Sequence, residues 1–241
     1  MQKQKISQLM AKKYIDYQYQ LPKYNPLADF DWIQSQSGLP WLPLSLLIPH
    51  ESILTEIKNI EKLLSVHRDE YGEHFGWKSF CIHGKAYNAT RELEYYKDDR
   101  PYNWTTEAQT LMPATVDYFK TQWPGDQYQR VRVMLLEPGG YVSIHRDHTT
   151  PGLTAINIAI TQPVDCNFIM EKKGTVPFVP GTAFWVDISN NHTVFNNSNQ
   201  NRWHIIVHQN VKNQKFQEEV VKSYNIMYNN YNENRHNHNQ R

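Results

Sequence analysis

A mainly β chain with flanking helices, folded as a double-sheet barrel or jelly roll, is what this sequence predicts. Three observations carry the prediction. Between Gln129 and Gln209, seven or eight short segments have strand character, several with the apolar/polar alternation of a half-buried strand. Turn-forming stretches separate them: Pro-Gly, Lys-Lys-Gly and Asn-rich clusters. Aromatic residues are plentiful, with 15 Tyr, 7 Trp and 9 Phe, and such side chains favour half-buried sheet.

Composition narrows the class further. At 241 residues the chain suits one large domain, a core with appendages, and is long enough to bury a substantial interior. Formal charge is +1, from 25 basic and 24 acidic residues. No strong field for nucleic acid or for an anionic membrane follows from that balance. Met1-Gln2-Lys3-Gln4-Lys5 leads into no apolar stretch, so a secretory signal is not expected. No run of 18 apolar residues is present, which argues against a transmembrane helix. Cys81 and Cys166 stand far apart without metal-site spacing and read as small buried hydrophobes in a reducing compartment. A cytoplasmic globular protein is the expectation.

Taken in order, residues 1–128 form an irregular and helical segment packing on the core. A short helix is expected near Ser7–Tyr14, followed by irregular Pro-rich chain from Pro26 to Pro49 that carries Trp32 and Trp41. Glu51–Ser65 is the clearest helix, with Ile53, Leu54, Ile57, Ile60, Leu63 and Leu64 at a 3.6-residue period. Trp77–His83 reads as a strand ending at Gly84. Residues 85–104 make a long polar connection studded with Tyr and Trp, either a lid over a site or an aromatic-pinned surface loop. Pro113–Gln122 is a short helix with Pro at its first position.

Residues 129–210 hold the strands of the core. Gln129–Glu137 sets Val131, Val133 and Leu135 against Arg130, Arg132, Met134 and Leu136. A tight turn at Pro138-Gly139-Gly140 leads to Tyr141–Asp147. Leu153–Thr161, Asp165–Glu171, Val176–Val179, Gly181–Asp187, Thr193–Asn196 and Arg202–Gln209 follow. Residues 211–241 comprise a C-terminal helix over 213–230 and a disordered Asn- and His-rich tail. His236-Asn237-His238 in that tail reads as solvated.

The chemistry centres on His145-Arg146-Asp147. A His and an Asp two apart on an extended segment point the same way. With a second His from a distant strand they would make a 2-His-1-carboxylate facial triad, which leaves open positions on Fe(II). His192, His204 and His208 are the downstream candidates. His192 opens a strand after the turn Asp187-Ile188-Ser189-Asn190-Asn191, and Arg202 follows ten residues later. An iron oxygenase that consumes a 2-oxo acid must hold that acid's distal carboxylate, for which the planar fork of a buried Arg is suited. On a strand from Arg202, His204 and His208 share the Arg202 face, so either could also point inward. They rank below His192 because they would leave Arg202 without a role.

The run from Val131 to Val207 resembles the aspartyl/asparaginyl β-hydroxylase family of Fe(II)- and 2-oxoglutarate-dependent oxygenases. The stretches that carry the likeness are Leu136-Glu137-Pro138-Gly139-Gly140, His145-Arg146-Asp147, Gly181 to Ser189, His192-Thr193-Val194 and Arg202. The resemblance implies a double-stranded β-helix (a cupin-like jelly roll), iron on His145, Asp147 and His192, and 2-oxoglutarate on Arg202. Family members often carry Arg-x-His on the strand after the first ligand pair. Here that strand is Ala155-Ile156-Asn157-Ile158, and Asn157 is left to donate to the co-substrate. An intact Asp147 argues against halogenation, which needs that position vacated. The reaction implied is hydroxylation of an amino-acid side chain with O2, releasing succinate and CO2.

The substrate stays open in the sequence: an Asp- or Asn-type residue of a protein or peptide, or a free amino acid such as proline. Arg130, Arg132 and Tyr141 are candidates to face the pocket, one Arg meeting an acidic substrate group or else forming a surface salt bridge. The rival readings are a non-catalytic cupin module and a Zn- or Mn-dependent cupin isomerase or hydrolase. Neither needs the three ligands together with an Arg ten residues after the last.

Overall fold

The computed structural model describes residues 2–67, 74–89 and 99–238, excepting the side chains of 232–238. Six α-helices are present among these: α1 (Gln2–Tyr14), α2 (Phe30–Ser35), α3 (His50–Ile60), α4 (Thr106–Leu111), α5 (Pro113–Thr121) and α6 (Gln214–His238). The strands are β1 (Trp41–Leu44), β2 (Ser65–Val66), β3 (His74–Gly84), β4 (Asn103–Trp104), β5 (Tyr128–His145), β6 (Ala155–Ala159), β7 (Cys166–Met170), β8 (Gly174–Thr175), β9 (Ala183–Val186), β10 (His192–Asn196) and β11 (Arg202–Gln209).

The strands run in the order β1-β9-β6-β11-β5-β10-β7-β8, with β3 along β5 as well. Every pairing is antiparallel. The sheet curls on itself as a jelly roll of the double-stranded β-helix kind. Side-chain alternation divides it into two interiors. Val131, Val133 and Leu135 of β5, Ile156 and Ile158 of β6, and Trp203, Ile205 and Val207 of β11 face a large core. Ile53, Ile57 and Ile60 of α3 and Phe216 and Val220 of α6 close that core from the helix side. The opposite faces of the same strands look into the barrel, where Leu136, Val142, Ala155, Phe168 and Val186 form a second cluster.

Local signals explain the helices. Asp29 caps α2 by accepting the Trp32 N–H at 2.8 Å, and Thr105 caps α4 through the Ala108 N–H at 3.3 Å. At the start of α5 the free amides of Ala114 and Thr115 both donate to the Glu56 carboxylate of α3 at 2.8 Å. A charged acceptor at a helix N-terminus satisfies orphan donors and favours the dipole, so one side chain joins the two helices.

Several expectations need correction. Pro138-Gly139-Gly140 is no hairpin turn: β5 runs through it and changes partner there. Residues up to Leu136 pair with β11, whereas Tyr141 and Val142 pair with Phe195 and Val194 of β10. Gly139 has φ +73°. A Cβ on Gly140 would meet the carbonyl oxygens of Glu137 at 2.7 Å and Phe75 at 2.9 Å, so the corner requires glycine. Val176–Val179 is not a strand, since Pro177 and Pro180 cannot donate to a ladder; β8 is Gly174–Thr175, and Val176 and Phe178 plug the barrel instead. Trp41–Leu44, expected to be irregular, is an edge strand, where the missing N–H of Pro43 is tolerated.

The tail is helical as far as His238, where disorder was expected. Tyr224 and Tyr228 stack with Tyr24 of the N-terminal segment, anchoring the helix. Beyond them no Gly or Pro interrupts propagation, which adds one hydrogen bond per residue. Residues 239–241 and the side chains of His236 and His238 lie outside the described part, as do Tyr95 and Tyr96 of the 85–104 connection.

Candidate active site

The end of β5 and the start of β10 lie side by side, and His145 is directly opposite His192. Asp147 follows just past β5, its backbone N–H donating to the Ile188 carbonyl at 3.0 Å. That bond ties it to the turn that leads into β10. Within the turn, the Asp187 carboxylate accepts the Ser189 N–H at 3.0 Å and the Asp187 carbonyl accepts the Asn190 side-chain amide at 3.0 Å. The turn thereby presents the Asn190 carbonyl to His192.

Both imidazoles are oriented in the same way. His145 Nδ1 lies 2.7 Å from the Ser143 carbonyl, and His192 Nδ1 lies 2.9 Å from the Asn190 carbonyl. A carbonyl only accepts, so each Nδ1 carries the proton and each Nε2 presents a lone pair. Those Nε2 atoms lie 3.8 Å from the two carboxylate oxygens of Asp147. One donor atom from each residue falls within 4.8 Å of the others, a span one small cation can bridge. His192 is buried and stacked on Phe168, ring centroids 5.2 Å apart. Burial, then the neighbouring His145, pushes its pKa down to about 4, which leaves the neutral imidazole a metal requires.

The supports of this cluster reach outward. Ser143, whose carbonyl orients His145, donates its own N–H to His74 Nδ1 at 3.1 Å. The next residue, Ile144, donates its N–H to the Ser7 hydroxyl of α1 at 2.6 Å. Helix α1 thus grips the strand one residue before His145.

Arg202, at the head of β11, is buried in the same barrel. Its Nη2 donates to His204 Nδ1 at 3.0 Å, and His204 Nε2 then donates to Gln162 Oε1 at 3.2 Å. The Phe178 ring centroid lies 5.8 Å from the guanidinium carbon. Among the described residues no carboxylate pairs with Arg202, and its Nε is buried without a hydrogen-bond partner. Burial lowers its pKa to about 10, so it stays cationic at neutral pH. A buried cation with unused donors calls for an anionic ligand.

A cavity of about 310 Å³ joins these groups. His145, Asp147, His192, Arg202 and Asn157 all line it, so the structure brings together the five residues singled out from the sequence as metal or co-substrate ligands. His204 and His208, weighed as metal ligands, also line it but stand outside the ligand cluster. His204 serves Arg202 instead. Tyr141 does not line the cavity: it stacks with Phe75 and Phe195, on the face opposite Val142, and the register shift between Val142 and His145 puts it out of phase with His145. Sequence reasoning missed His74, whose place beside Ser143 depends on pairing between strands that are distant in the chain. It also missed His67 and Trp77, which line the cavity with their rings edge to face at 4.3 Å.

The fold and this constellation define a jelly-roll protein in which one cavity joins a cluster that could hold a metal ion to a buried arginine. A model of the family described as Aspartyl/Asparaginyl beta-hydroxylase matches residues 50–210, and the chain belongs to that family. It is a 2-oxoglutarate-dependent dioxygenase, with Fe(II), 2-oxoglutarate and O2 as its cofactors. No curated protein matches the chain in sequence. Similar solved structures include an oxidoreductase of the 2OG-Fe(II) oxygenase family from Burkholderia pseudomallei, at 11% identity and TM-score 0.49, covering 81% of this chain and 96% of that one. A Trichoplax adhaerens prolyl hydroxylase in complex with a hypoxia inducible factor peptide fragment is another, at 12% identity and TM-score 0.46, covering 88% and 94%. A prolyl-4-hydroxylase from Pseudomonas putida is a third, at 13% identity and TM-score 0.43, covering 75% and 96%.

Proposed function

We propose that this protein hydroxylates an amino-acid side chain, with His145, Asp147 and His192 as the iron ligands and Arg202, helped by Asn157, as the 2-oxoglutarate site. The substrate is an Asp- or Asn-type residue of a protein or peptide, or a free amino acid such as proline. The observation that carries the reading is the sharing of one cavity by the His145/Asp147/His192 cluster and a buried, carboxylate-free Arg202. The donor set fits the metal: two neutral imidazoles and one carboxylate leave positions open for co-substrate and O2. Bound there, Fe(II) with 2-oxoglutarate supplies O2 activation, and 2-oxoglutarate leaves as succinate and CO2.

The chain's own residues do the positioning. Ser143 and Asn190 fix the two imidazoles by their Nδ1–H groups, so Nε2 is the coordinating atom in each. Arg202 offers its unused Nε and remaining guanidinium hydrogens to a carboxylate, and His204 holds the fork in place from the other side. Leu136, Val142, Ala155, Phe168, Ile188 and Val194 give the cavity apolar walls. Such walls help to exclude water once the site is filled, which strengthens the charge contacts inside.

The test is isotopic. Under heavy O2, the protein loaded with Fe(II) and 2-oxoglutarate is given candidate amino acids and Asp- or Asn-containing peptides. One heavy oxygen atom should enter a product and its twin should enter succinate. Succinate formation that never depends on His145 or His192 contradicts the assignment.

A further inference from the structure

Gln162 does not line the cavity, yet the geometry points to it as a positioning residue for the co-substrate site. Resting on the reading of Arg202 given above, its role is to fix the His204 tautomer that holds the Arg202 fork. The local chain puts it there. Thr161 is tied to β11, its N–H donating to the Trp203 carbonyl at 3.0 Å and its hydroxyl accepting the Trp203 N–H at 2.9 Å. The next side chain, Gln162, is thereby held at the head of β11, where its Oε1 lies 3.2 Å from His204 Nε2. Beyond it the Cys166 N–H donates to the Pro163 carbonyl at 3.2 Å, with Asp165 at φ +65°. That turn uses a left-handed conformation that Asp tolerates. It brings the Cys166 carbonyl, at the head of β7, back to the Gln162 side-chain amide.

Hydrogen-bond polarity runs one way along these groups. A backbone carbonyl only accepts, so the Gln162 group bonded to the Cys166 carbonyl is its NH2. The amide oxygen is left to face His204 Nε2, which must carry a proton to donate. A guanidinium only donates, so His204 Nδ1, 3.0 Å from Arg202 Nη2, must be the bare nitrogen. His204 is 1% exposed, which leaves no solvent to replace either partner. Burial, then the Arg202 charge, holds its pKa well below 6.5, so the ring stays neutral and the Nδ1 lone pair stays available. The opposite tautomer would aim an N–H at the guanidinium and leave the Gln162 oxygen facing a lone pair. Arg202 would then lose the acceptor that sets the plane of its fork. A fork set in advance takes a carboxylate without first being ordered.

Two measurements test this. In ligand-free protein carrying nitrogen-15 histidine, long-range proton–nitrogen spectra tell the two tautomers apart, and His204→Phe identifies the ring by its loss. Anaerobic Fe(II) titrated with 2-oxoglutarate reads co-substrate affinity through a weak visible charge-transfer band. The unmodified protein should show His204 with a protonated Nε2 and a bare Nδ1. The reverse tautomer, or a doubly protonated ring, overturns the inference without any variant. Gln162→Met keeps the bulk of the side chain and loses both polar groups, so a role in packing alone would leave it harmless. The His204 ring should lose its single tautomer in this variant, and 2-oxoglutarate should bind about tenfold more weakly at unaltered Fe(II) affinity. Co-substrate affinity that is unchanged or tighter overturns the inference. So does weaker affinity with the His204 tautomer intact, or a parallel loss of Fe(II) affinity. No band in the unmodified protein fails the reading of Arg202 and overturns the inference on that account. The histidine spectrum needs neither iron nor co-substrate, and so tells that failure from one of the hydrogen-bond chain.

Discussion

Replacing Arg202 by Met should make the ligand-free protein more stable while abolishing its stabilisation by 2-oxoglutarate. Burial lowers the guanidinium pKa from its ordinary value to about 10, and a tenfold change in proton affinity corresponds to about 1.4 kcal/mol. The charged group therefore costs the folded state roughly 3 kcal/mol. Folded and unfolded chains are both protonated below the folded value, so the cost is present in full at neutral pH. It is relieved only as pH rises above about 10. Against it stands the bond to His204 at 3.0 Å, a charge-assisted contact contributing about 1.5 kcal/mol. The balance leaves the Met variant ahead by about 1.5 kcal/mol, or about 3–6 °C in melting temperature for a chain of this size. With anaerobic Fe(II) and 2-oxoglutarate at about a hundred times its dissociation constant, the unmodified protein gains about 2.7 kcal/mol. The variant, having lost about 3–5 kcal/mol of binding, gains almost nothing at that concentration. The order of the two melting temperatures should reverse on adding ligand. A Met variant markedly less stable without ligand, or equally protected with it, refutes this account of Arg202.

Three further outcomes are expected. His74→Phe removes the acceptor of the Ser143 N–H and should weaken metal affinity about 10–100-fold, as loss of a supporting partner does; an unaltered Fe(II) or Zn(II) titration counts against that chain of contacts. Ser7→Ala strands the Ile144 N–H and should cost about 1–3 kcal/mol in urea unfolding, and no loss would mean that α1 is not gripping β5. Burial holds His83 and His192 at about 4 and His204 and His208 well below 6.5. The unfolded chain takes up these protons first, so the stabilisation is complete above pH 6.5 and drains away as pH falls below it. Urea midpoints should drop between about pH 7.5 and about pH 5, His83→Phe should flatten the drop, and pH-independent midpoints contradict the burial of these rings.

What the sequence disclosed and what it hid have a common physical root. The alternation of β5 and β11 is local, so the faces that carry Arg130, Arg132, Arg202, His204 and His208 were legible, and so was the pairing of His145 with Asp147. His192 could be chosen because the turn before it and Arg202 after it constrain its neighbourhood. Contacts across strands were hidden. His74 meets Ser143 only because β3 follows β5 around the glycine corner, and Ser7 meets Ile144 only because α1 packs on β5. The corner itself was misread, because Pro-Gly-Gly signals a reversal as readily as a change of strand partner. Tyr141 failed because a register shift between Val142 and His145, invisible in the local pattern, puts it out of phase with His145.

The account stands most directly on one spectrum: the anaerobic difference spectrum of Fe(II) and 2-oxoglutarate added to the unmodified protein and to His145→Ala, His192→Ala and Arg202→Met. The expected result is a weak visible charge-transfer band in the unmodified protein, absent in both histidine variants and recovered in Arg202→Met only at far higher 2-oxoglutarate. A band of normal strength in His192→Ala, or no band in the unmodified protein, contradicts the claim that this cavity holds iron and its co-substrate together.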